Sequence, residues 1–163
     1  MDELKLIFGQ VFKRFIGFGI DYFIVLFPNF LITILIEYIL TNSNSINDFL
    51  TLRCGITYFL YFTYLTYKNG QTIGKKAVGI IVVQIDNNET PNLLKVIIRH
   101  LPLTIMFLFT YLNEIHLDQI EKFKGTIELI IEIWFYTEII FYIIKNNGQM
   151  FHDYIAKTTV INK

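Results

Sequence analysis

The sequence predicts an all-α membrane protein: a four-helix transmembrane bundle with a short N-terminal amphipathic helix and a small cytoplasmic β-ladder. Of the 163 residues, 53% are hydrophobic and only 17% are charged, whereas soluble domains carry about 25% charged residues. The charged residues that do occur are separated by long apolar runs. Basic and acidic residues number 14 each, so no excess positive charge indicates a nucleic-acid partner. A chain of this length predicts a single domain, residues 1–163.

The first apolar region predicts one long span. Residues 4–15 place apolar side chains on one helical face, which is typical of an amphipathic helix at the inner membrane surface or of the first turns of the span itself. The span runs from about 15 to 40, longer than the roughly 20 residues that a bilayer core needs. We therefore expect it to tilt, or to kink at Pro28. A polar loop, 41–48, follows.

The second span is predicted at about 49–67, with Arg53 near its outer end. Segment 68–92 differs from the spans because its apolar run, 77–85, is short, rich in β-branched residues and bounded by turn residues. Such a run predicts a strand.

A second β-branched run, 158–161, lies near the end of the chain. We expect it to pair with residues 78–83 in a small β-ladder, whose direction the sequence does not decide. This pairing would bring Asp153 close to Arg14 at the membrane face.

The third span is predicted at about 96–112 and the fourth at about 127–144, with a mixed polar loop, 113–125, between them. Apolar residues of the fourth span each favour insertion by about 0.3–0.6 kcal/mol, whereas Glu132 and Glu138 each oppose it by roughly 2.5–3.5 kcal/mol. Such a helix is stable in a bilayer only if its carboxyl groups face a partner or a wet cavity. Both residues are therefore candidate intramembrane carboxylates.

The basic residues predict the orientation of the bundle. Four spans with an inner N-terminus leave Lys122 and Lys124 on the outer side and most other lysines and arginines inside, as the positive-inside rule requires. Both termini are then cytoplasmic. Lys75 and Lys76 would lie at the inner surface, where anionic lipid head groups attract each of them by about 1 kcal/mol.

Arg14 and Asp21 stand out because ionisable residues in spans are costly and usually face the protein interior. They are seven residues apart, so they project from one helical face about 10 Å apart. Gly17 lies between them and permits close approach of another backbone. Asp21 is either an exchangeable carboxylate on a transport path or part of a buried ionic clamp that holds the first span to cytoplasmic segments.

Several other kinds of site are not expected. Segment 70–83 departs from the phosphate-loop template in glycine spacing and lacks the metal-binding hydroxyl. His100, His116 and His152 lack metal-ligand spacing, and Cys54 has no partner for a disulfide. No catalytic constellation of side chains indicates an enzyme, and no cofactor or metal is expected.

Three short patterns occur in order along the chain: an arginine followed by a small residue and Ile-Asp, a Gly-Gln-Thr-x-Gly-Lys segment leading into a strand, and a His-Asp segment leading into a second strand. The residues that carry them are Arg14, Gly17, Ile20, Asp21, Gly70, Gln71, Thr72, Gly74, Lys75, Gly79, Ile80, Val82, Val83, His152, Asp153, Ala156, Thr158 and Val160. Together they resemble the RDD family of bacterial membrane proteins, named for one arginine and two aspartates. Arg99 stands where members often have a further arginine, and Lys157 replaces a usual glycine, which leaves a special backbone conformation there in question.

The resemblance implies a multi-pass protein of the bacterial cytoplasmic membrane with a transport or transport-associated role, and some relatives are linked to cation/proton exchange. Its charge cluster would be Arg14, Asp21 and Asp153. The alternative is a non-transporting structural or adaptor protein that binds lipids or a partner complex, with the same residues as a clamp. Because four short spans enclose little volume, we expect a homo-oligomer or a partner membrane protein.

Overall fold

The computed structural model describes residues 2–40, 46–115, 117–144 and 149–163. These residues are mostly helical and include one small sheet, as predicted. The elements are α1 (Asp2–Leu40), α2 (Ile46–Asn69), α3 (Ile73–Ala77), β1 (Ile80–Gln84), α4 (Leu93–Ile115), α5 (Leu117–Ile144), α6 (Phe151–Ile155) and β2 (Thr158–Asn162).

Helix α1 is one continuous helix of 39 residues. Residues 2–14 are therefore its first turns and not a separate amphipathic helix. Among the described residues, α1 is the helix that is long and apolar enough to cross a membrane, over Gly9–Ile36 with a mean hydropathy of 2.0. Only 22% of this apolar stretch is buried, so most of its side chains face outward.

Pro28 lies inside α1, and the helix continues past it to Leu40. The turn after the proline is stabilised by side chains: Asn29 Nδ2 donates to the Val25 carbonyl at 2.8 Å. From α2, Arg53 donates to the Asn29 carbonyl at 2.7 Å and to Asn29 Oδ1 at 3.1 Å. Arg53 thus joins α2 to α1 at this turn.

The predicted loop at 113–125 is wrong, because α4 extends to Ile115 and α5 begins at Leu117. Residues such as Glu121 and Lys122 are good helix formers, and the lone Gly125 costs only about 1 kcal/mol relative to alanine. Polarity alone therefore does not end the helix. At the other predicted loop, α2 already begins at Ile46, and residues 41–45 lie outside the described part.

The sheet confirms the predicted pairing and shows that it is antiparallel, from Ile80 opposite Asn162 to Gln84 opposite Thr158. Ile80, Val82 and Val160 form its buried core. Two one-turn helices that the sequence did not predict, α3 and α6, precede the strands.

A residue in the left-handed region lies directly before each strand. Gly79 has a φ of +70° before β1, and Lys157 has a φ of +52° before β2. Lysine thus adopts the special conformation for which the family pattern has a glycine.

The chain repeats this architecture in its two halves. Each half contains two long helices, then a one-turn helix and a strand, in the orders α1-α2-α3-β1 and α4-α5-α6-β2. A Tyr-x-x-x-x-Asn-Gly-Gln pattern at 64–71 recurs at 142–149, an offset of 78 residues. The same offset relates Ile80–Gln84 to Thr158–Asn162.

The two strands are related by a local two-fold axis. Val82 and Val160 are equivalent under the 78-residue offset, and they are also opposite each other in the ladder. An antiparallel pair whose central residues are equivalent has its two-fold axis between them. The sheet therefore joins the two halves symmetrically, and we name the part formed by α3, β1, α6 and β2 the polar module.

Candidate functional site

Asp153 is fully buried and is held by two arginines. Arg14 Nη1 donates to Asp153 Oδ2 at 2.9 Å, and Arg99 Nη1 pairs with Asp153 Oδ1. The backbone N–H of Met150 also donates to Oδ2, at 3.2 Å. Since Arg14 lies on α1 and Arg99 on α4, one carboxylate ties two long helices to α6. The predicted proximity of Arg14 and Asp153 is confirmed.

The arginines also contact the neighbouring elements. Arg99 Nη1 donates to Thr158 Oγ1 at 2.8 Å, which links α4 to β2. Gln149 Nε2 donates to the Thr158 carbonyl at 2.7 Å. The Arg14 guanidinium lies over the Tyr142 ring of α5, 5.4 Å from its centroid. The cluster therefore reaches α1, α4, α5 and both segments of the second half of the polar module.

Asp21 is also fully buried, but it has a separate set of donors. Tyr61 Oη and the Gly74 N–H each donate to its Oδ1 at 2.7 Å, and the Thr72 hydroxyl donates to Oδ2. All three donors are uncharged. These three hydrogen bonds tie α1 to α2 and to the start of α3.

A glycine contact allows this approach of α1 and α3. A Cβ at Gly17 would lie 3.1 Å from Val78 Cγ2 and 3.3 Å from the Gly74 carbonyl oxygen, and a Cβ at Gly74 would collide with the Gly17 carbonyl oxygen. The close backbone approach expected at Gly17 is therefore present, and its partner is the second glycine of the Gly-Gln-Thr-x-Gly-Lys segment.

Glu138 of α5 is buried and bound by one residue of α6. Its Oε2 lies 2.9 Å from His152 Nδ1, and its Oε1 accepts from the His152 backbone N–H at 3.2 Å. Burial lowers the pKa of His152 to about 4, assisted by the positive charge of Arg99 and Arg14 and opposed by the hydrogen bond to Glu138. The lowered pKa leaves the imidazole neutral at pH 7, with Nδ1 facing Glu138 and Nε2 3.3 Å from Asp153 Oδ1.

Lys75 and Lys76 are in different environments. Lys76 is exposed, whereas Lys75 is half-buried with its Nζ 5.8 Å from the Phe62 ring centroid. Burial, together with the charge of Arg99, lowers the pKa of Lys75 to about 7. Lys76 is thus the member of the pair that is free to meet a lipid surface.

Glu132 is exposed, unlike the buried carboxylates of Asp21, Asp153 and Glu138. Among the described residues it accepts no hydrogen bond and makes no ion pair. Glu132 and Glu138 are six residues apart, which on an α-helix is about 120° around the axis. The two candidate intramembrane carboxylates therefore point in different directions, Glu138 into the protein and Glu132 away from it.

The remaining motif residues shape the polar module. Thr72 caps the N-terminus of α3, and Gly70 has a φ of +68° at the turn from α2. Ala156 is buried next to the left-handed Lys157. Within the described residues, no group of three histidine, cysteine or acidic side chains is arranged to hold a metal ion.

Two contributors to the site were not predicted from the sequence. Tyr61 has no distinguishing sequence signal, because its partner Asp21 is 40 residues away. Gln149 does have one, since the Gly-Gln pair that precedes α3 recurs before α6.

Comparison with protein-family models gives a match over most of the chain. A family model described as the RDD family matches residues 8–157, a range that contains every motif residue except Thr158 and Val160 of β2. Searches of curated proteins and of solved structures find no significant match. The RDD family is membrane-associated and has no known function. The length of the match shows that the chain belongs to the RDD family.

Proposed function

We propose that this chain is a multi-span protein of the bacterial cytoplasmic membrane that takes part in the exchange of cations or protons. Four spans would lie in α1, α2, α4 and α5, which have 39, 24, 23 and 28 residues. At 1.5 Å per residue, even the shortest is about 35 Å long and exceeds the roughly 30 Å of the hydrocarbon core. The basic residues favour cytoplasmic termini.

This topology is testable by fusing a reporter after Lys163. A reporter that is active only in the cytoplasm should give signal there, and one that is active only outside should give none. The opposite pattern would place the C-terminus on the outer side and would overturn the proposed orientation.

The observation that carries the transport proposal is the state of Glu132. An acidic side chain at the centre of a span costs roughly 2.5–3.5 kcal/mol, and this one has no donor among the described side chains. Asp21, Asp153 and Glu138, in contrast, are all held by donors within the protein. A carboxylate that the fold does not neutralise is the one that a proton or a cation can neutralise.

Flux into proteoliposomes tests the proposal. With a pH gradient and a panel of Na⁺, K⁺ and Li⁺, we expect Glu132→Gln to abolish ion-dependent proton flux, because the amide cannot exchange a proton. The matched control is Glu89→Gln, which changes an exposed carboxylate in the turn after β1. Flux that persists in Glu132→Gln at the level of this control would overturn the assignment.

A second candidate function is that of a structural or adaptor membrane protein that does not transport. The saturation of Asp153 by two arginines favours it, because a carboxylate held this way is suited to a clamp. On this alternative no ion of the panel moves in the wild-type protein. Three expectations stay predictions under either function. They are that the chain self-associates, that it binds a partner membrane protein, and that anionic lipid binds at Lys75 and Lys76.

A further inference from the structure

The second long helices of the two halves, α2 and α5, pack differently, although the Tyr-x-x-x-x-Asn-Gly-Gln pattern recurs at 64–71 and 142–149. In the first half, Tyr58 and Phe62 of α2 are each only 3% exposed. Their rings pack on α4, with Tyr58 5.4 Å from Phe107 and Phe62 5.7 Å from His100 between ring centroids. This packing is the main contact between the halves within the long helices.

The equivalent residues of α5 have no such partner. The 78-residue offset makes Tyr136 the counterpart of Tyr58 and Ile140 the counterpart of Phe62. Tyr136 is 60% exposed and Ile140 is 53% exposed. Under the two-fold axis, α5 would pack on α1 as α2 packs on α4. The two helices meet at Arg14 and Tyr142, but the side between them is open around Tyr136 and Ile140.

The face of α1 that would receive α5 is partly exposed as well. Under the same offset, the counterpart of His100 is Tyr22, which is 41% exposed. Ile140 and Tyr22 are therefore the counterparts of a contacting ring pair, and both are uncovered. The repeat thus defines which residues would meet if the open side closed.

Charge gives an independent reason for closure. Glu132 is the counterpart of Cys54, the residue after Arg53. For a two-fold axis along the membrane normal, equivalent residues lie at the same depth, which would place Glu132 near the depth of Arg53. Arg53 contacts α1, where it donates hydrogen bonds to the uncharged residues Asn29 and Thr33. Among described residues, Arg53 has no acidic partner and Glu132 has no basic one.

We propose that α5 closes onto α1 so that the Glu132 carboxylate pairs with the Arg53 guanidinium, and that the exchanged cation or proton competes with Arg53 for Glu132. In the closed arrangement Arg53 is the counter-ion and the carboxylate is buried. In the open arrangement Glu132 is released from Arg53 and is neutralised by the proton or cation. The competition rests on the proposed function, whereas the closure does not.

Disulfide trapping tests the closure. In a Cys54→Ser background, Tyr22→Cys with Ile140→Cys should form an intrachain disulfide in membranes on mild oxidation. The matched control is Tyr22→Cys with Ile139→Cys, because Ile139 is the adjacent residue, is 44% exposed and points about 100° away. We expect at least a tenfold higher yield for the first pair. Equal yields, or disulfides only between chains, would overturn the proposal.

The ion pair is tested in the same assay by adding Glu132→Gln or Arg53→Gln to the Tyr22→Cys/Ile140→Cys protein. Interhelical polar contacts in membranes have a strength that corresponds to about a three- to twenty-fold change in an equilibrium. We expect each substitution to lower the yield by a factor in this range, and the two together to lower it no further. Additive losses, or no loss, would overturn the Glu132–Arg53 pair.

The two proposals fail separately. Trapped disulfides with no flux of any ion would overturn the exchange function but would support the closure. Flux that depends on Glu132, without a trapped disulfide, would sink the closure and leave the exchange function standing.

Discussion

Carboxylates occur both around the polar module and on α5, but they are buried in the first region, and on α5 Glu132 is exposed. In and around the module, the carboxylates of Asp21 and Asp153 are fully buried and accept hydrogen bonds from several donors each. On α5, Glu132 is exposed and accepts none among the described residues. Position in the family motif follows the same division, because Asp21 and Asp153 are motif residues and Glu132 is not.

The difference indicates that the family charges are a clamp. Each buried carboxylate joins a different set of elements: Asp21 joins α1 to α2 and α3, Asp153 joins α6 to α1 and α4, and Glu138 joins α5 to α6. Exchange of a proton or cation at such a group requires several donors to be left without an acceptor. Glu132 has no such cost, so under the proposed function the buried carboxylates are structural and Glu132 is the exchanging group.

The strongest way to break this comparison is Asp153→Asn. Removing the charge takes away the carboxylate that the buried guanidinium groups of Arg14 and Arg99 both contact, and breaking such a buried ion pair costs about 3–5 kcal/mol. Thermal unfolding in detergent should show a large loss of stability or no folded protein. Asp86→Asn is the control, because Asp86 is exposed and pairs with Lys95 at the surface, where such pairs contribute about 0–1 kcal/mol. Equal effects of the two substitutions would contradict a clamp.

Gly74→Ala tests the contact on which the Asp21 site depends. The added Cβ collides with the Gly17 carbonyl oxygen, so α3 must move from α1 at a cost of about 1–3 kcal/mol. Gly19→Ala is the control, since nothing lies within 4 Å of a Cβ there and alanine in a helix is more stable by about 0.5–1 kcal/mol. The two variants should therefore shift the unfolding temperature in opposite directions. A harmless Gly74→Ala would show that the two helices are not in close contact.

His152 gives the clamp a pH dependence. The folded-state pKa of about 4 lies below the ordinary value of 6.5, so the unfolded chain binds more protons between these values. Stability then falls as the pH falls from 6.5 to 4, by roughly 1–2 kcal/mol after allowance for solvent screening. In His152→Gln, unfolding temperatures measured across this window should fall less. Parallel curves for the two proteins would contradict a neutral His152.

The smallest effect is expected at Lys157, where the clamp region contains a strained residue. A lysine with a φ of +52° is less stable than one in the right-handed region by about 1–2 kcal/mol, whereas glycine tolerates the conformation but has more freedom when unfolded. Lys157→Gly should therefore stabilise the protein by about 0.5–1 kcal/mol. Asn88→Gly is the control, because asparagine tolerates its φ of +58° well, and it should gain less. A loss of stability in Lys157→Gly would remove the strain argument.

Much of the fold was predictable because its elements have strong periodic signals. Long apolar runs predicted the four long helices. Two β-branched runs predicted the ladder that brings Asp153 close to Arg14. The one-turn helices α3 and α6 were missed because five residues are too few to show helical periodicity. The prediction of a loop at 113–125 was wrong because polar residues with high helix propensity extend helices as readily as they form loops.

The site was harder to predict than the fold. The separation of Asp21 from Arg14 depends on the backbone approach at Gly74, 53 residues away, which no local pattern encodes. The six-residue spacing of Glu132 and Glu138 indicates different faces, but only the position of His152 shows which one points inward. The repeat of Tyr-x-x-x-x-Asn-Gly-Gln was readable in the sequence and identifies the face of α5 that lacks a partner.

Under the proposed function, Asp21 stabilises the fold and Glu132 exchanges the ion. The most direct test is ion flux divided by the amount of folded protein, measured for Asp21→Asn in proteoliposomes beside its unfolding temperature in detergent. We expect the unfolding temperature to fall, because an amide cannot accept from all three donors, and the flux per folded molecule to stay near that of the wild type. A variant that keeps its unfolding temperature and loses its flux would contradict the account and make Asp21 the exchanging carboxylate.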